Sequence, residues 1–216
     1  KKKFGKRIIM IVDTCLCSIT MDGHCGITHH NKINLKETHK SLGLAALTFI
    51  NAGADIIAPS DMMNGTTKYL KSLFNKKKIK TPIMSYSTKF FSSFYGPFRN
   101  AAKSSPKKFD RSSYQLPVND RKKALQSSIT NAKQGASFLM VKPGITSIDL
   151  IRDIKNKTKL PTGAYQVSGE YASLQYLSKH KLGDFKKLYK ESLTAIHRAG
   201  ANFIITYGAR DIAKNL

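Results

Sequence analysis

Three stretches of the chain repeat one arrangement of apolar and polar positions. Residues 49–61 read FINAGADIIAPSD, residues 131–144 read NAKQGASFLMVKPG, and residues 196–209 read IHRAGANFIITYGA. In each, an amphipathic helical end runs into a glycine suited to the left-handed conformation, then a short apolar run, then a polar or glycine-bearing turn. The repeated unit is a helix followed by a strand. Further apolar runs of strand length occupy residues 7–13, 81–86 and 160–167. They do not alternate cleanly in polarity, as expected where both faces of a parallel strand are covered. Helical periodicity fills 35–51, 120–134, 147–156, 171–180 and 184–199, and in the second of these Ala124, Leu125, Ile129 and Ala132 share one face. Six strands alternating with helices predict a parallel α/β protein.

The residues that follow the strands narrow this further. Asp13, Cys15 and Cys17 come after the first, Ser60 and Asp61 after the second, Lys89 after the third, Lys142 after the fourth, Ser168 after the fifth and Tyr207 after the sixth. Reactive side chains at the C-terminal ends of many strands are the mark of a (β/α)8 barrel, the TIM barrel. No G-x-G-x-x-G follows the first strand, which weighs against an open dinucleotide-binding sheet. Eight strands make such a barrel and six are visible, so about two strands are expected upstream of Lys1. Residues 1–216 are read as a single barrel domain.

Composition excludes several classes. With 216 residues and 41% apolar content, the chain can bury a real core and is neither a disordered tail nor a disulfide-knit miniprotein. No stretch approaches the roughly 20 consecutive apolar residues of a membrane span, and nothing at the start resembles a signal peptide, so the expectation is a soluble cytoplasmic protein with no membrane partner. The 37 Lys and Arg against 13 Asp and Glu give a formal charge of +24, which by itself points to a polyanion. The lysines fall in short surface-type runs, at 1–3, 76–78 and 186–187, with no interleaved aromatic motif. A solvated face is favoured over a nucleic-acid stripe.

Three side-chain sets carry candidate chemistry. The segment DTCLCSITMDGHCG places Cys15, Cys17 and Cys25 in a C-x-C-x7-C arrangement. An odd, clustered set is not a disulfide framework; three thiolates on one loop match a zinc site with three protein ligands and an open position, the alternative being small buried apolar residues. His24 is read as a hydrogen-bonding neighbour rather than a ligand. Lys89 and Lys142 each stand at a strand end, where an apolar site and a neighbouring cation would lower an amine's pKa and free it to attack a carbonyl. Exposed loop lysines are the competing reading. Arg99, Arg111 and Gln115 lie in a long polar stretch of the kind that forms lids; their forks suit carboxylates, though exposed arginines commonly only pair with surface acids.

Taken together, DTCLCSITMDGHCGI, AGADIIAPSDMMNG, IMSYSTKFFSSFYGPFRNA, SYQLP, FLMVKPG, AYQVSGEYA and AGANFIITYGA closely resemble the porphobilinogen synthase (delta-aminolevulinic acid dehydratase) family, in order, from about Ile8 onward. The resemblance implies a (β/α)8 barrel of which the first two strands and an N-terminal arm are lacking, so that the chain matches the C-terminal two thirds of a family member. It implies a lyase that condenses two molecules of 5-aminolevulinate into porphobilinogen with loss of two waters. By motif, Lys142 would form a Schiff base with the substrate that becomes the propionate side and Lys89 with the one that becomes the acetate side. Arg99 and Arg111 would bind one carboxylate, with Gln115 a substrate-binding residue nearby, and Ser168 and Tyr207 the other. Asp13 and Ser60 would be polar site residues, Phe98 part of the lid, and Cys15, Cys17 and Cys25 the ligands of the zinc-dependent branch.

The resemblance also implies a homo-oligomer, an octamer in intact family members. The departures from the family pattern are Asp22, Asn64, Gly208 and Ser127, where the family usually has His, Asp, Phe and, in many bacterial members, a Glu supporting an allosteric Mg2+. No such Mg2+ is therefore expected. The readings set against catalysis are an inactive truncated barrel with an assembly or vestigial role, and a polyanion-binding module.

Overall fold

The computed structural model describes residues 1–107 and 109–213. After a short 3-10 turn come β1 (Ile11–Thr14), a small hairpin of β2 (Thr28–His29) and β3 (Lys32–Ile33), α1 (Leu35–Asn51), β4 (Ile56–Pro59), α2 (Thr66–Lys76) and β5 (Met84–Lys89). There follow α3 (Gly96–Ala101), α4 (Arg121–Lys133), β6 (Phe138–Lys142), α5 (Ile148–Thr158), β7 (Thr162–Gln166), α6 (Ser168–Lys179), α7 (Phe185–Arg198), β8 (Ile204–Thr206) and α8 (Ala209–Ala213). All six expected strands and all five expected helices are present. No helix is long and apolar enough to cross a membrane among the described residues.

Strands β1 and β4 pair in parallel, as do β5, β6, β7 and β8 in that order. A parallel bridge between Ile57 and Ile83 joins the two groups, so six parallel strands form one wall, each neighbour in space being the next long strand in sequence. Alternation along each strand separates two cores. Outward, Ile57 packs with Ala46, Leu70 and Phe74 of α1 and α2, while Leu139, Val141 and Ala164 pack with Ala124, Leu150, Ile151, Ile154 and Ile196 of the later helices. Inward, Ile56, Ala58, Met84, Tyr86 and Met140 meet Phe138, Tyr165, Phe203 and Ile205. This inner layer is the filled interior of a barrel, and the strand ends above it form the mouth.

Gly163 has a specific task in that layer: a Cβ there would lie 2.2 Å from the Phe203 ring, so only glycine admits the ring. Among the described residues β1 and β8 each pair on one side only. The inner face next to β1 is correspondingly open, with Ile9 68% and Ile11 42% exposed.

The structure departs from expectation in three places. Helix α2 falls where the sequence reading places no element; its Tyr69, Leu70, Leu73 and Phe74 do carry helical spacing, diluted by Lys68, Lys71 and Lys76. The long polar stretch after β5 begins with a 3-10 turn at Ser93–Tyr95 and α3. Helix α6 starts at Ser168, earlier than expected, because the Glu170 carboxylate reaches back to accept from the Val167 N–H at 2.7 Å. The lysines at 1–3, 76–78 and 186–187 are all exposed, as a solvated face requires.

Candidate active site

Lys89 and Lys142 are cross-strand neighbours, paired in register at the C-terminal ends of β5 and β6. Their shared direction depends on an irregularity. Met84 faces the interior, and in a regular strand a residue five positions on would face outward. Met84 pairs with Phe138 and Ser85 with Leu139, but Thr88 pairs with Val141, so β5 holds one extra residue and has a β-bulge between 85 and 88. The bulge turns two consecutive side chains, Ser87 and Thr88, toward α4, where both meet Ser128. Lys89 is thereby returned to the interior beside Lys142.

Both amines stand over one ring, Lys142 Nζ 5.2 Å and Lys89 Nζ 5.9 Å from the centre of Tyr86. Lys142 also lies 3.9 Å from the Tyr165 ring and 5.5 Å from that of Tyr95. This aromatic enclosure strips water from the Lys142 amine, and with the adjacent Lys89 charge it brings the amine's pKa down to about 7. Lys89, itself buried, donates to the Ser60 carbonyl at 2.5 Å. Ser60 therefore enters the site through its main chain. The Tyr95 hydroxyl donates to the carbonyls of Phe90 (2.9 Å) and Lys142 (3.1 Å), tying the two strand ends together.

The thiols of Cys15, Cys17 and Cys25 all lie within 4.8 Å of one another. Thiolates sharing a zinc ion at about 2.3 Å would hold their sulfurs roughly 3.8 Å apart, so a small contraction of this cluster suffices, and three soft donors suit that metal. Hydrogen bonds with Cys17 and Cys25 keep the Cys15 thiol protonated, above the ordinary range, and the bond with Cys15 pulls Cys17 far down. Arg111 and Lys89 add positive charge beside Cys17, which places the thiols next to the amines. His24 is buried behind Cys25, stacked on Phe109 at 3.8 Å, with Nδ1 3.1 Å from the Tyr114 hydroxyl. That hydroxyl also accepts from the Cys25 N–H at 3.4 Å.

The third set is cationic. Arg111 is buried, and its Nη2 donates to the carbonyls of Gly23 (2.8 Å) and Ser104 (2.5 Å), which latches the cysteine loop to the polar stretch. Arg99 Nε and Nη2, Arg111 Nε and both amide atoms of Gln115 are buried with no hydrogen-bond partner among the described residues. Unpaired donors of this kind are costly unless a ligand meets them, and their charge specifies an anion. Arg99 is held below its usual pKa by burial and by Arg111.

The remaining expected residues are less uniformly placed. Asp13 occupies an inward position of β1 beside the open edge and is exposed. Ser168 Oγ accepts from the Phe98 N–H at 3.1 Å and lies 3.4 Å from the Phe94 carbonyl, so it ties the start of α6 to the 3-10 turn and α3. Phe98 itself is 40% exposed, and Tyr207, 45% exposed, has its ring 6.2 Å from that of Tyr165. Tyr86, Tyr95, Tyr165, Tyr114 and Ser128 were not singled out from the sequence. Tyr86 and Tyr165 could have been, since each sits an even number of places from an inward neighbour on its own strand.

The sequence profile of the family described as Delta-aminolevulinic acid dehydratase matches residues 1–215. The chain belongs to the delta-aminolevulinic acid dehydratase family. It is 45% identical over 217 residues to the delta-aminolevulinic acid dehydratase of Helicobacter pylori, covering 100% of this chain and 67% of that protein. To the Bacillus subtilis dehydratase it is 42% identical, covering 99% and 66%. The chain spans about two thirds of the length of the curated relatives it matches. The crystal structure of the Toxoplasma gondii dehydratase, in complex with the reaction product porphobilinogen, superposes with a TM-score of 0.96 at 35% identity, over 100% of this chain and 62% of that one.

The family fold is a TIM barrel, and the six-stranded wall described above is part of one. Two of this dehydratase-family chain's departures have local partners. Asp22 accepts from the His24 N–H at 3.1 Å and from the Thr28 hydroxyl, closing the turn before the third cysteine. At Gly208 a Cβ would lie 2.6 Å from Tyr189 and 2.7 Å from Tyr171, whose rings occupy that space. Asn64 is exposed, and nothing in the structure explains the replacement of the family's Asp there.

Proposed function

We propose that the protein is a porphobilinogen synthase, joining two molecules of 5-aminolevulinate with loss of two waters. The observation that carries this reading is the register pairing of Lys89 with Lys142 over one tyrosine ring. The neutral Lys142 amine attacks the ketone of one substrate; a C=N bond forms and the ketone oxygen leaves as water. Lys89 does the same for the second substrate, so both ketones are activated side by side and the bond-forming atoms are held together. Arg99, Arg111 and Gln115 bind one carboxylate, for which their unpaired buried atoms are ready. Ser168 and Tyr207 bind the other, Ser168 exchanging its contacts with Phe94 and Phe98 for the substrate. Asp13 and Ser60 complete the polar wall, and Phe98 rides on the lid.

The metal of this reading is zinc, held by Cys15, Cys17 and Cys25. When bound there it supplies Lewis-acid polarisation of a substrate carbonyl or amine. No allosteric Mg2+ is assigned near α4, because Ser127 offers only a neutral hydroxyl, donated to the Ser87 carbonyl at 2.6 Å. Turnover is expected to be unchanged by millimolar Mg2+, and stimulation that Ser127→Ala abolishes would contradict this. The working form is a cytoplasmic homo-oligomer, and the family octamer is the expected size in sedimentation. The basic surface is a solvated face rather than a nucleic-acid site.

Borohydride reduction in the presence of 5-aminolevulinate tests the proposal directly. Peptide mapping is expected to show the reduced adduct first on Lys142. A protein that forms porphobilinogen while carrying label on neither lysine would overturn the mechanism. A protein that forms no porphobilinogen when zinc-loaded would favour the second reading, a barrel without catalysis.

A further inference from the structure

Helix α4 packs on β5 through polar rather than apolar side chains at its centre. Ser128 is fully buried, as are Ser87 and Thr88 beneath it. The Thr88 hydroxyl donates to the Ala124 carbonyl at 3.0 Å and therefore must accept from its other neighbour, the Ser128 hydroxyl at 2.8 Å. Ser128, having donated to Thr88, accepts in turn from Ser87 at 2.7 Å. The three hydroxyls form one directed chain, Ser87 to Ser128 to Thr88 to Ala124, in which every proton is placed and Ser128 is the middle link. The Ser127 hydroxyl holds the Ser87 carbonyl from the same side.

This chain joins both outward side chains of the bulge to the one helix residue that faces them. A strand that sends two consecutive side chains to one face needs both of them satisfied there, and an apolar helix surface would have driven one of them back. We infer that Ser128 is a positioning residue for Lys89: by engaging Ser87 and Thr88 together it holds the bulge, and the bulge turns Lys89 to face Lys142. Ser128 touches no substrate and acts from the outer side of the sheet. The inference deepens the proposed function, since it assigns what keeps the second amine beside the first.

The test compares Ser128→Ala, Ser128→Thr and Asn131→Ala in the full-length, zinc-loaded protein. Asn131 is the control, because its Oδ1 accepts from Ser85 (2.9 Å) and Thr67 (2.6 Å) at the same helix–strand interface, below the bulge. The readout is the yield of the Lys89–Lys142 bridge formed by the short amine-to-amine reagent 1,5-difluoro-2,4-dinitrobenzene, mapped by mass spectrometry. It needs no substrate, so it reports the bulge even should neither lysine form a Schiff base. Ser128→Ala is expected to lower the bridge several-fold, because the unpaired Ser87 hydroxyl shifts the equilibrium away from the bulged register. Ser128→Thr, which keeps the hydroxyl, restores it, and Asn131→Ala leaves it unchanged while lowering the unfolding midpoint. Borohydride trapping in Ser128→Ala then retains the Lys142 adduct and loses turnover through kcat. An unchanged bridge in Ser128→Ala, or an equal loss in Asn131→Ala, overturns the inference. Should Ser128→Ala fail to fold, Ser128→Cys, whose thiol is a weak donor and a weak acceptor of similar size, is read by the same bridge: a partial loss supports the inference and an unchanged bridge overturns it.

Discussion

Lys142→Ala is expected to abolish both the borohydride-trapped adduct and porphobilinogen formation, lowering turnover by at least roughly 10^4-fold, the scale on which loss of a covalent nucleophile acts. The expectation rests on the amine's surroundings. Three tyrosine rings and the neighbouring Lys89 bring its pKa to about 7, so half of it is neutral at neutral pH, against roughly one part in a few thousand for an ordinary lysine. In the wild type the initial rate of adduct formation should therefore rise with pH to a half-maximum near 7 and level off above it. Stability carries the same signature with a definite sign. The folded amine loses its proton near 7 and the unfolded one near 10.4, so unfolding takes up a proton between those values and stability rises with pH across that window. Below pH 7 the buried cation exerts its full cost. Lys142→Met should flatten that rise in urea denaturation, and an adduct profile with its half-maximum near pH 10 would show that the amine is not enclosed as described.

The parts of this site that could be seen in the sequence are those fixed by local spacing. The strand at β6 and its terminal Lys142 follow from five residues and a Lys-Pro-Gly turn; the thiols follow from eleven residues of loop. Lys89 was found as a lysine after an apolar run, yet its facing could not be derived. A strict two-residue period from Met84 would have sent it outward, and only the register between two strands distant in sequence reveals the extra residue. The same holds for Ser128, which reads as a mild interruption of an amphipathic helix until its partners on β5 are known. Helix α2 was hidden for a different reason: three lysines mask a short apolar stripe whose meaning comes from packing against α1 and β4. Arg99 and Gln115 stand out by type, but that their polar atoms are buried and unpaired is a property of the folded stretch after β5.

The second large effect is expected at the thiols. Cys17→Ser should weaken metal binding by more than the 10–100-fold that loss of a group merely supporting a ligand costs, and carry turnover down with it, while leaving the helices folded. Serine keeps the size of the side chain but offers a hard, protonated oxygen where a soft thiolate is required. Cys17 is the informative position because the cluster already polarises it: the hydrogen bond from Cys15, aided by the Arg111 and Lys89 charges, favours its thiolate, whereas Cys15 is held as a thiol. Binding a cation must then release the Cys15 proton, so affinity is expected to increase with pH in the wild type. Titration with Co2+, followed by its thiolate charge-transfer absorption, reads affinity and ligand type together, with circular dichroism as the check on folding. A Cys17→Ser protein that titrates with wild-type affinity and band intensity would show that the three sulfurs do not share one ion.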